Sequence, residues 1–194
     1  MRVFIAFDIE EVIRERLRLF VDGVRGFEPD ARWVRPESMH VTLKFIGEKS
    51  AEAVEEIKRS VGAIRAGAFE ISFRGCGFFP TSKAPRVFWI GIEAGPQLAA
   101  LATAVDEATF SLGIPKEEHA FSPHLTLARR GGSGSPHWRR SDAPNQSFQR
   151  LQEKLAAIPA PEFGTMTARE FFLYQSQLMR GGSQYTKIAR FGLM

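Results

Sequence analysis

Two short segments of the chain place a histidine and a threonine two residues apart in the same frame. SMHVTL contains His40 and Thr42, and SPHLTL contains His124 and Thr126. Because side chains alternate between the two faces of a strand, each histidine shares a face with its threonine, while the apolar neighbours point the opposite way. Each segment therefore predicts a strand with one core face and one face free for chemistry.

Two imidazoles and two hydroxyls around one small volume could act on a phosphate ester. The unperturbed pKa of histidine is about 6.5, so near neutral pH one imidazole can accept a proton while the other donates one. Threonine hydroxyls can donate to non-bridging phosphate oxygens and hold the phosphorus atom between the rings. The alternative is a pair of ordinary buried strands, since Val, Leu and Thr are common in strands. One motif alone favours that alternative, whereas two copies in duplicated lobes favour the site.

Other chemistries lack their residues in this sequence. H-x-T-L offers no second nitrogen or sulfur ligand at zinc spacing, and neither HExxH nor CxxC occurs. The G-x-S-x-G motif of serine hydrolases and the P-loop of nucleotide triphosphatases are also missing. We therefore predict a site that uses no metal and no cofactor.

The apolar periodicity predicts the elements that must position the two motifs. The predicted strands cover residues 2–9, 38–46, 69–75, 86–92, 122–128, 165–176 and 184–193, and the predicted helices cover residues 10–25, 50–67, 96–112 and 147–157. The order strand, helix, motif strand, helix, strand occurs in the first half and again from about Arg86. A single repeat of this length predicts an α+β chain of two similar lobes, 1–194 forming one catalytic domain, with a cleft between the lobes.

Composition narrows the class of protein. The chain has 194 residues, of which 44% are hydrophobic and 25% charged, as in a folded water-soluble protein. No apolar run reaches membrane-spanning length, and the N-terminal residues do not resemble a secretory signal. The single cysteine, Cys76, cannot form an internal disulfide and is typical of a buried small apolar residue in a reducing compartment. We therefore expect a cytoplasmic protein, and a monomer.

The net charge of +4 favours an anionic partner. Nucleic acid is the leading candidate and phosphorylated small molecules come next. A surplus of four positive charges is equally compatible with a charged surface whose only role is to keep the protein soluble.

At the two motifs the sequence resembles the 2H phosphoesterases, a superfamily named for two H-x-T/S-x motifs in a bilobal fold. The segments WVRPESMHVTLKFIGE (residues 33–48), PRVFWIGI and FSPHLTLAR resemble the RNA 2′,3′-cyclic phosphodiesterases, also called 2′-5′ RNA ligases. The likeness spans nearly the whole chain, including the opening RVFIAFDI. It implies the bilobal α+β 2H fold, with an antiparallel sheet in each lobe, and hydrolysis of a 2′,3′-cyclic phosphate at an RNA end to a 2′-phosphomonoester.

The resemblance also implies a role for each motif residue. His40 would be the proton donor to the departing 3′ oxygen, and His124 would be the proton acceptor that activates water. Thr42 and Thr126 would bind the phosphate. With an RNA 5′-hydroxyl in place of water, the reverse reaction would join two RNA ends through a 2′-5′ linkage.

An arginine often follows the second motif in this family, and Arg129 occupies that place in HLTLAR. Strict strand alternation, however, puts Arg129 on the face of Leu125 and Leu127, away from the histidine, and puts Arg130 on the histidine face. We take Arg129 as the substrate-binding residue by motif position and keep Arg130 as the alternative.

Two further basic features could contact RNA. Lys44 shares the predicted face of the first motif pair and could attract backbone phosphates, although a solvated lysine is an equal alternative. The loop Arg129–Gln146 contains His137, Trp138, Arg139 and Arg140, in which charge accompanies a ring that could stack on a base.

Two other functions stay open at the level of sequence. The same pocket could bind an RNA end without turning it over, as a non-catalytic binding protein. A 2H phosphodiesterase could also act on a different substrate, such as a cyclic ADP-ribose phosphate or a 2′-5′ oligonucleotide.

Overall fold

Strands and helices alternate along the chain, as the apolar pattern predicts. The computed structural model describes residues 1–130, 146–179 and 182–194. Its strands are β1 Arg2–Phe7, β2 Arg32–Trp33, β3 Val41–Glu48, β4 Phe69–Phe79, β5 Val87–Ala94, β6 His124–Arg129, β7 Glu162–Ala168, β8 Glu170–Met179 and β9 Gly182–Gly192. Its α-helices are α1 Glu11–Val24, α2 Ala51–Gly62, α3 Pro96–Phe110 and α4 Gln149–Ala156.

Two antiparallel sheets carry the two motifs. The first sheet has the order β3-β1-β8-β9, and the second has the order β2-β6-β5-β4-β7. The first motif thus adjoins an edge strand of the first sheet, and the second motif lies within the second sheet. In both sheets the motif strand pairs antiparallel with the strand that precedes it across one helix, β1 with β3 and β5 with β6. The predicted α+β fold with one sheet per lobe is confirmed.

Local sequence explains where the helices lie. In α1 the residues Ile13, Leu17, Val21 and Val24 form one buried stripe, as their spacing predicts. Ser50 caps α2 by accepting a hydrogen bond from the Ala53 N–H at 3.2 Å. The predicted end of α2 is about five residues too late and that of α3 about two, because the last apolar residues of each pattern lie in the turn that follows the helix.

Two strand predictions are wrong. The run 165–176 is not one strand, because the chain leaves the second sheet after Ala168 and enters the first sheet at Glu170. No glycine or proline marks this crossing. The predicted strand 69–75 is also too short, because β4 continues through GCGFF to Phe79 and the connection to β5 covers only residues 80–86.

The helices α1 and α3 each cross to the opposite sheet. Although α1 follows β1 of the first sheet, its Arg16 Nη1 donates to the Phe163 carbonyl of β7 at 2.9 Å, and its Phe20 ring packs on Phe163 at 5.2 Å. The α3 helix follows β5 of the second sheet, but its Asp106 pairs with Lys44 of β3. Buried apolar residues of both sheets accordingly form one continuous core. In the described part of the chain, none of the helices combines the length and apolar character that a membrane span requires.

Candidate active site

The two motif histidines are held in the same way. His40 directly precedes β3, and its Nδ1 lies 2.7 Å from the carbonyl oxygen of Ser38. His124 opens β6, and its Nδ1 lies 2.8 Å from the carbonyl oxygen of Ser122. Because a carbonyl oxygen can only accept, Nδ1 carries the proton in each neutral ring and Nε2 keeps its lone pair. Both rings therefore present Nε2 as the atom available for proton transfer.

Aromatic side chains surround each imidazole. His40 packs against Phe4 at 4.8 Å between ring centroids and against the edge of Tyr185 at 5.2 Å. In the second sheet, His124 meets Phe79 edge-on at 4.9 Å, and Phe79 packs in turn on Trp89 at 5.0 Å. These rings remove water from the imidazoles, which disfavours the charged form.

The two histidines and Arg129 share one electrostatic environment. The pKa of His40 is lowered to about 4, chiefly by desolvation and also by the positive charges of Arg129 and His124. The hydrogen bond with the Ser38 carbonyl and the charge of Asp8 act in the opposite direction. Desolvation also lowers the pKa of His124, and Arg129 again contributes. Since Arg129 acts on both histidines and His124 acts on His40, the two lobes bring these three side chains together as the sequence predicts.

A β-bulge in β3 changes which residues face the cleft. Thr42 and Lys44 pair with consecutive residues of β1, so Leu43 is an extra residue in the strand. Beyond it the alternation reverses. Phe45, rather than Lys44, therefore lies on the face of Thr42, where its ring packs on Phe4 of the neighbouring strand at 6.0 Å.

Lys44 consequently points into the protein. It is 2% exposed, forms an ion pair with Asp106 of α3 and donates to the carbonyl oxygen of Pro115 at 2.8 Å. The prediction that Lys44 shares the face of His40 and could contact phosphates there is wrong, because strict alternation fails at the bulge.

The same irregularity occurs in β6 and determines the face on which Arg129 lies. Thr126 and Ala128 pair with consecutive residues of β5, which makes Leu127 the extra residue. Arg129 therefore lies on the face of His124 and Thr126, so the expectation from strict alternation is wrong. Arg130 follows the strand, and its backbone N–H donates to the Arg86 carbonyl at 2.8 Å.

Thr42 and Thr126 are half-buried on the two histidine faces. Within the described residues, neither hydroxyl has a hydrogen-bond partner on the protein, so both are available to a ligand.

Arg129 lies near Tyr185 of β9. Burial and the positive charge of Arg32 lower the pKa of Arg129, and Tyr185 acts in the opposite direction. An arginine of the second sheet and a tyrosine of the first sheet are therefore close enough to interact electrostatically.

The family assignment follows from a comparison with known proteins. The family described as LigT like Phosphoesterase matches the chain twice, over residues 7–89 and 90–185. The chain belongs to the LigT-like phosphoesterase family. Each match contains one of the two histidine motifs, which agrees with the predicted duplication, and the predicted membership of the 2H phosphoesterases is confirmed.

Individual relatives of this LigT-like phosphoesterase span its whole length. The RNA 2′,3′-cyclic phosphodiesterase of Archaeoglobus fulgidus is 30% identical over 98% of this chain and 99% of the relative. The protein of that name from Aquifex aeolicus is 32% identical over 100% of this chain and 97% of the relative. The crystal structure of Escherichia coli LigT complexed with 3′-AMP is 28% identical, with a TM-score of 0.78 over 99% of this chain and 97% of that chain.

A cavity of about 350 Å³ adjoins His40 in the LigT-like chain, and we call it the His40 cavity. Its lining includes Asp8, Arg14, Glu37, Tyr174, Tyr185 and Lys187. Although burial alone would raise the pKa of Asp8, hydrogen bonds from Lys187 and the Ile9 N–H hold it below its usual range. A larger cavity of about 890 Å³ is lined by residues of β4 and α4, among them Cys76, and contains neither histidine.

Sequence reasoning missed the residues that line the His40 cavity. Asp8 follows β1 directly, and a polar residue at the end of a buried strand is the one signal that could have drawn attention to it. Tyr174 and Tyr185 reach the site only through the pairing of the C-terminal strands with β1, which no local pattern encodes.

The predicted basic loop lies outside the described residues, at the positions of His137, Trp138, Arg139 and Arg140. In the described ranges, no three His, Cys, Asp or Glu side chains are grouped as a metal site would group them.

Proposed function

We propose that this LigT-like phosphoesterase hydrolyses 2′,3′-cyclic phosphates at RNA ends to 2′-phosphomonoesters by two-histidine acid–base catalysis. One observation carries the proposal: two imidazoles with protonated Nδ1 atoms, one from each lobe, interact electrostatically with each other and with one arginine. The names of the full-length relatives support the substrate class.

The proposed reaction uses Nε2 of both rings. His124 Nε2 accepts a proton from water as the water oxygen bonds to phosphorus. The bond between phosphorus and O3′ breaks, and O3′ takes a proton from Nε2 of protonated His40. His40 must therefore carry a charge that its aromatic surroundings disfavour in the empty cleft. A bound phosphate anion favours that charge, because an opposite charge nearby stabilises the imidazolium.

Three further residues would stabilise the phosphate as negative charge develops on it. The hydroxyls of Thr42 and Thr126 flank the rings from the two strands and can each donate to a non-bridging oxygen. The Arg129 guanidinium supplies a fixed positive charge on the same side of the cleft.

The test is hydrolysis of a nucleoside 2′,3′-cyclic phosphate in EDTA. Wild-type protein should form the 2′-monophosphate, and His40→Ala or His124→Ala should each lower kcat about 10²- to 10⁴-fold, because each removes one proton transfer. His119→Ala is the matched control, since His119 is exposed and lies outside both motifs. Undiminished activity in either motif variant would refute the mechanism, and binding without turnover by the wild type would favour a non-catalytic RNA-end binder.

We further propose that the same residues support 2′-5′ RNA ligation. An RNA 5′-hydroxyl replacing water would give up its proton to His124, and O2′ would remain bonded to phosphorus, so the product is a 2′-5′ linkage. Incubation of a cyclic-phosphate RNA with a 5′-hydroxyl RNA should give this joint, and its loss in His124→Ala would tie joining to the same base. Competition by 2′-5′ oligonucleotides would reveal a different preferred substrate.

A further inference from the structure

The His40 cavity belongs to one lobe. Its residues come from the end of β1, from α1, from the turn at Pro36–Ser38 and from β8 and β9, and none comes from the second sheet. In the proposed reaction His40 donates its proton to O3′, which is an atom of the terminal ribose. A group that enters the cavity beside His40 is therefore part of the same terminal nucleotide.

The charges of the cavity favour a neutral group over a second phosphate. Asp8 accepts hydrogen bonds from Arg14 Nη2 at 2.6 Å and from Lys187 Nζ at 2.5 Å, so both cations are paired within the protein. With Glu37 included, two anions balance two cations along the lining. Tyr174 and Tyr185 add aromatic surface. A volume of about 350 Å³ is small for a ligand pocket and suits one nucleoside rather than a longer stretch of RNA.

Glu37 is the ionisable carboxylate of the cavity that has no partner among the described residues. Its carboxylate is exposed and has no hydrogen-bond or ion-pair partner within the described ranges. The turn that carries it is well held, because Arg14 Nη1 donates to the Pro36 carbonyl and the Met39 N–H donates to the same oxygen at 3.1 Å. An ionised carboxylate can only accept hydrogen bonds, so its natural partner is a pair of N–H donors.

We propose that the His40 cavity binds the terminal nucleobase of the RNA and that Glu37 makes it prefer guanine to uracil. Guanine presents two adjacent donors, N1–H and the N2 amino group, which match the two oxygens of a carboxylate. Uracil presents one N–H between two carbonyl oxygens, which a carboxylate repels. The inference rests on the proposed function, since that function places the ribose on the His40 side.

The experiment compares guanosine and uridine 2′,3′-cyclic phosphates as substrates of the full chain. Wild type should show the higher kcat/KM with guanosine, and Glu37→Gln should lower the guanosine-to-uridine ratio about tenfold, mainly through KM, because one bidentate pair discriminates bases by about this factor. Glu56→Gln, the same change on an exposed position of α2, should leave the ratio as in wild type. A ratio that Glu37→Gln does not change would overturn the proposal.

Binding of the reaction products separates failure of this inference from failure of the proposed function. If wild type hydrolyses neither substrate, the proposed function fails, and the base preference is still measured by titration with guanosine and uridine 2′-monophosphates. Tighter binding of the guanosine compound that Glu37→Gln abolishes supports the inference. Equal affinities for the two monophosphates contradict it.

Discussion

His40 and His124 lie in unequal surroundings, and this inequality sets the pH range in which the pair can work. Burial and nearby positive charge lower the pKa of His40 to about 4, and the pKa of His124 is lowered too. In the proposed reaction the free enzyme needs His40 protonated and His124 neutral. Above pH 6.5 the protonated fraction of His40 falls about tenfold for each pH unit, since that pH lies above both pKa values.

We therefore expect kcat/KM for a cyclic phosphate to have an acidic optimum and to decline from pH 6.5 to 8.5. The kcat profile should extend to higher pH, because the bound phosphate anion raises the pKa of His40 in the complex. Initial rates over pH 4 to 9 at several substrate concentrations separate the two profiles. A kcat/KM that is flat or rises above pH 6.5 would show that His40 does not act as the proton donor.

At the scale of elements, the ion pair between Lys44 of β3 and Asp106 of α3 stabilises the fold, and replacing Asp106 should cost more stability than replacing Lys44. The Lys44 side chain is 1% exposed and that of Asp106 is 20% exposed. Asp106→Ala leaves a buried ammonium without its counter-charge and should lower the free energy of unfolding by about 3–5 kcal/mol. Lys44→Met replaces the ammonium by an apolar chain of similar size and should cost much less. Denaturant unfolding measures both changes.

Two controls accompany this comparison. Lys58→Met removes a surface pair with Glu55 on α2 and should change stability by less than about 1 kcal/mol. Lys44→Met should also retain the kcat/KM of wild type, since Lys44 points away from the cleft. If Lys44→Met instead caused a salt-dependent loss of RNA binding while stability was preserved, the result would show that Lys44 contacts RNA phosphates.

Sequence patterns predicted most elements because their signals are local. The stripe of α1 and the Ser50 cap of α2 need only a few neighbouring residues, and the doubled motif identified both histidines. The bulges at Leu43 and Leu127 could not be predicted, because a leucine at a bulge resembles a leucine in a regular strand. One extra residue in each strand was enough to misplace Lys44 and to put Arg129 on the wrong face in the strict-alternation prediction.

At the scale of the whole molecule, the crossed helices predict that the two lobes unfold together. The α1 helix follows the first sheet but packs on the second, and α3 follows the second sheet but packs on the first. Unfolding of either sheet should therefore remove a helix that packs on the other. Trp33 and Trp89 both lie in the second sheet and report its unfolding when Trp138 is replaced by Phe. Ile5→Val, a buried change in the first sheet that should cost about 0.5–1.5 kcal/mol, should shift the tryptophan fluorescence midpoint and the circular dichroism midpoint equally.

Two separate transitions, or a fluorescence midpoint that Ile5→Val leaves in place, would show that 1–194 is not one folding unit. Sedimentation of the same samples measures the oligomeric state, for which a monomer stays our prediction.

Phe45 and Arg129 occupy the same position after the bulge in the two copies of the motif, one an aromatic ring and the other a cation. A perfectly duplicated scaffold would receive a cyclic phosphate equally well in two orientations related by a half-turn, and either histidine could then serve the leaving oxygen. A single guanidinium on one side makes those orientations unequal in energy. Together with the unequal surroundings of the two histidines, this divergence at one pair of matching positions is expected to give a bound nucleotide one preferred polarity.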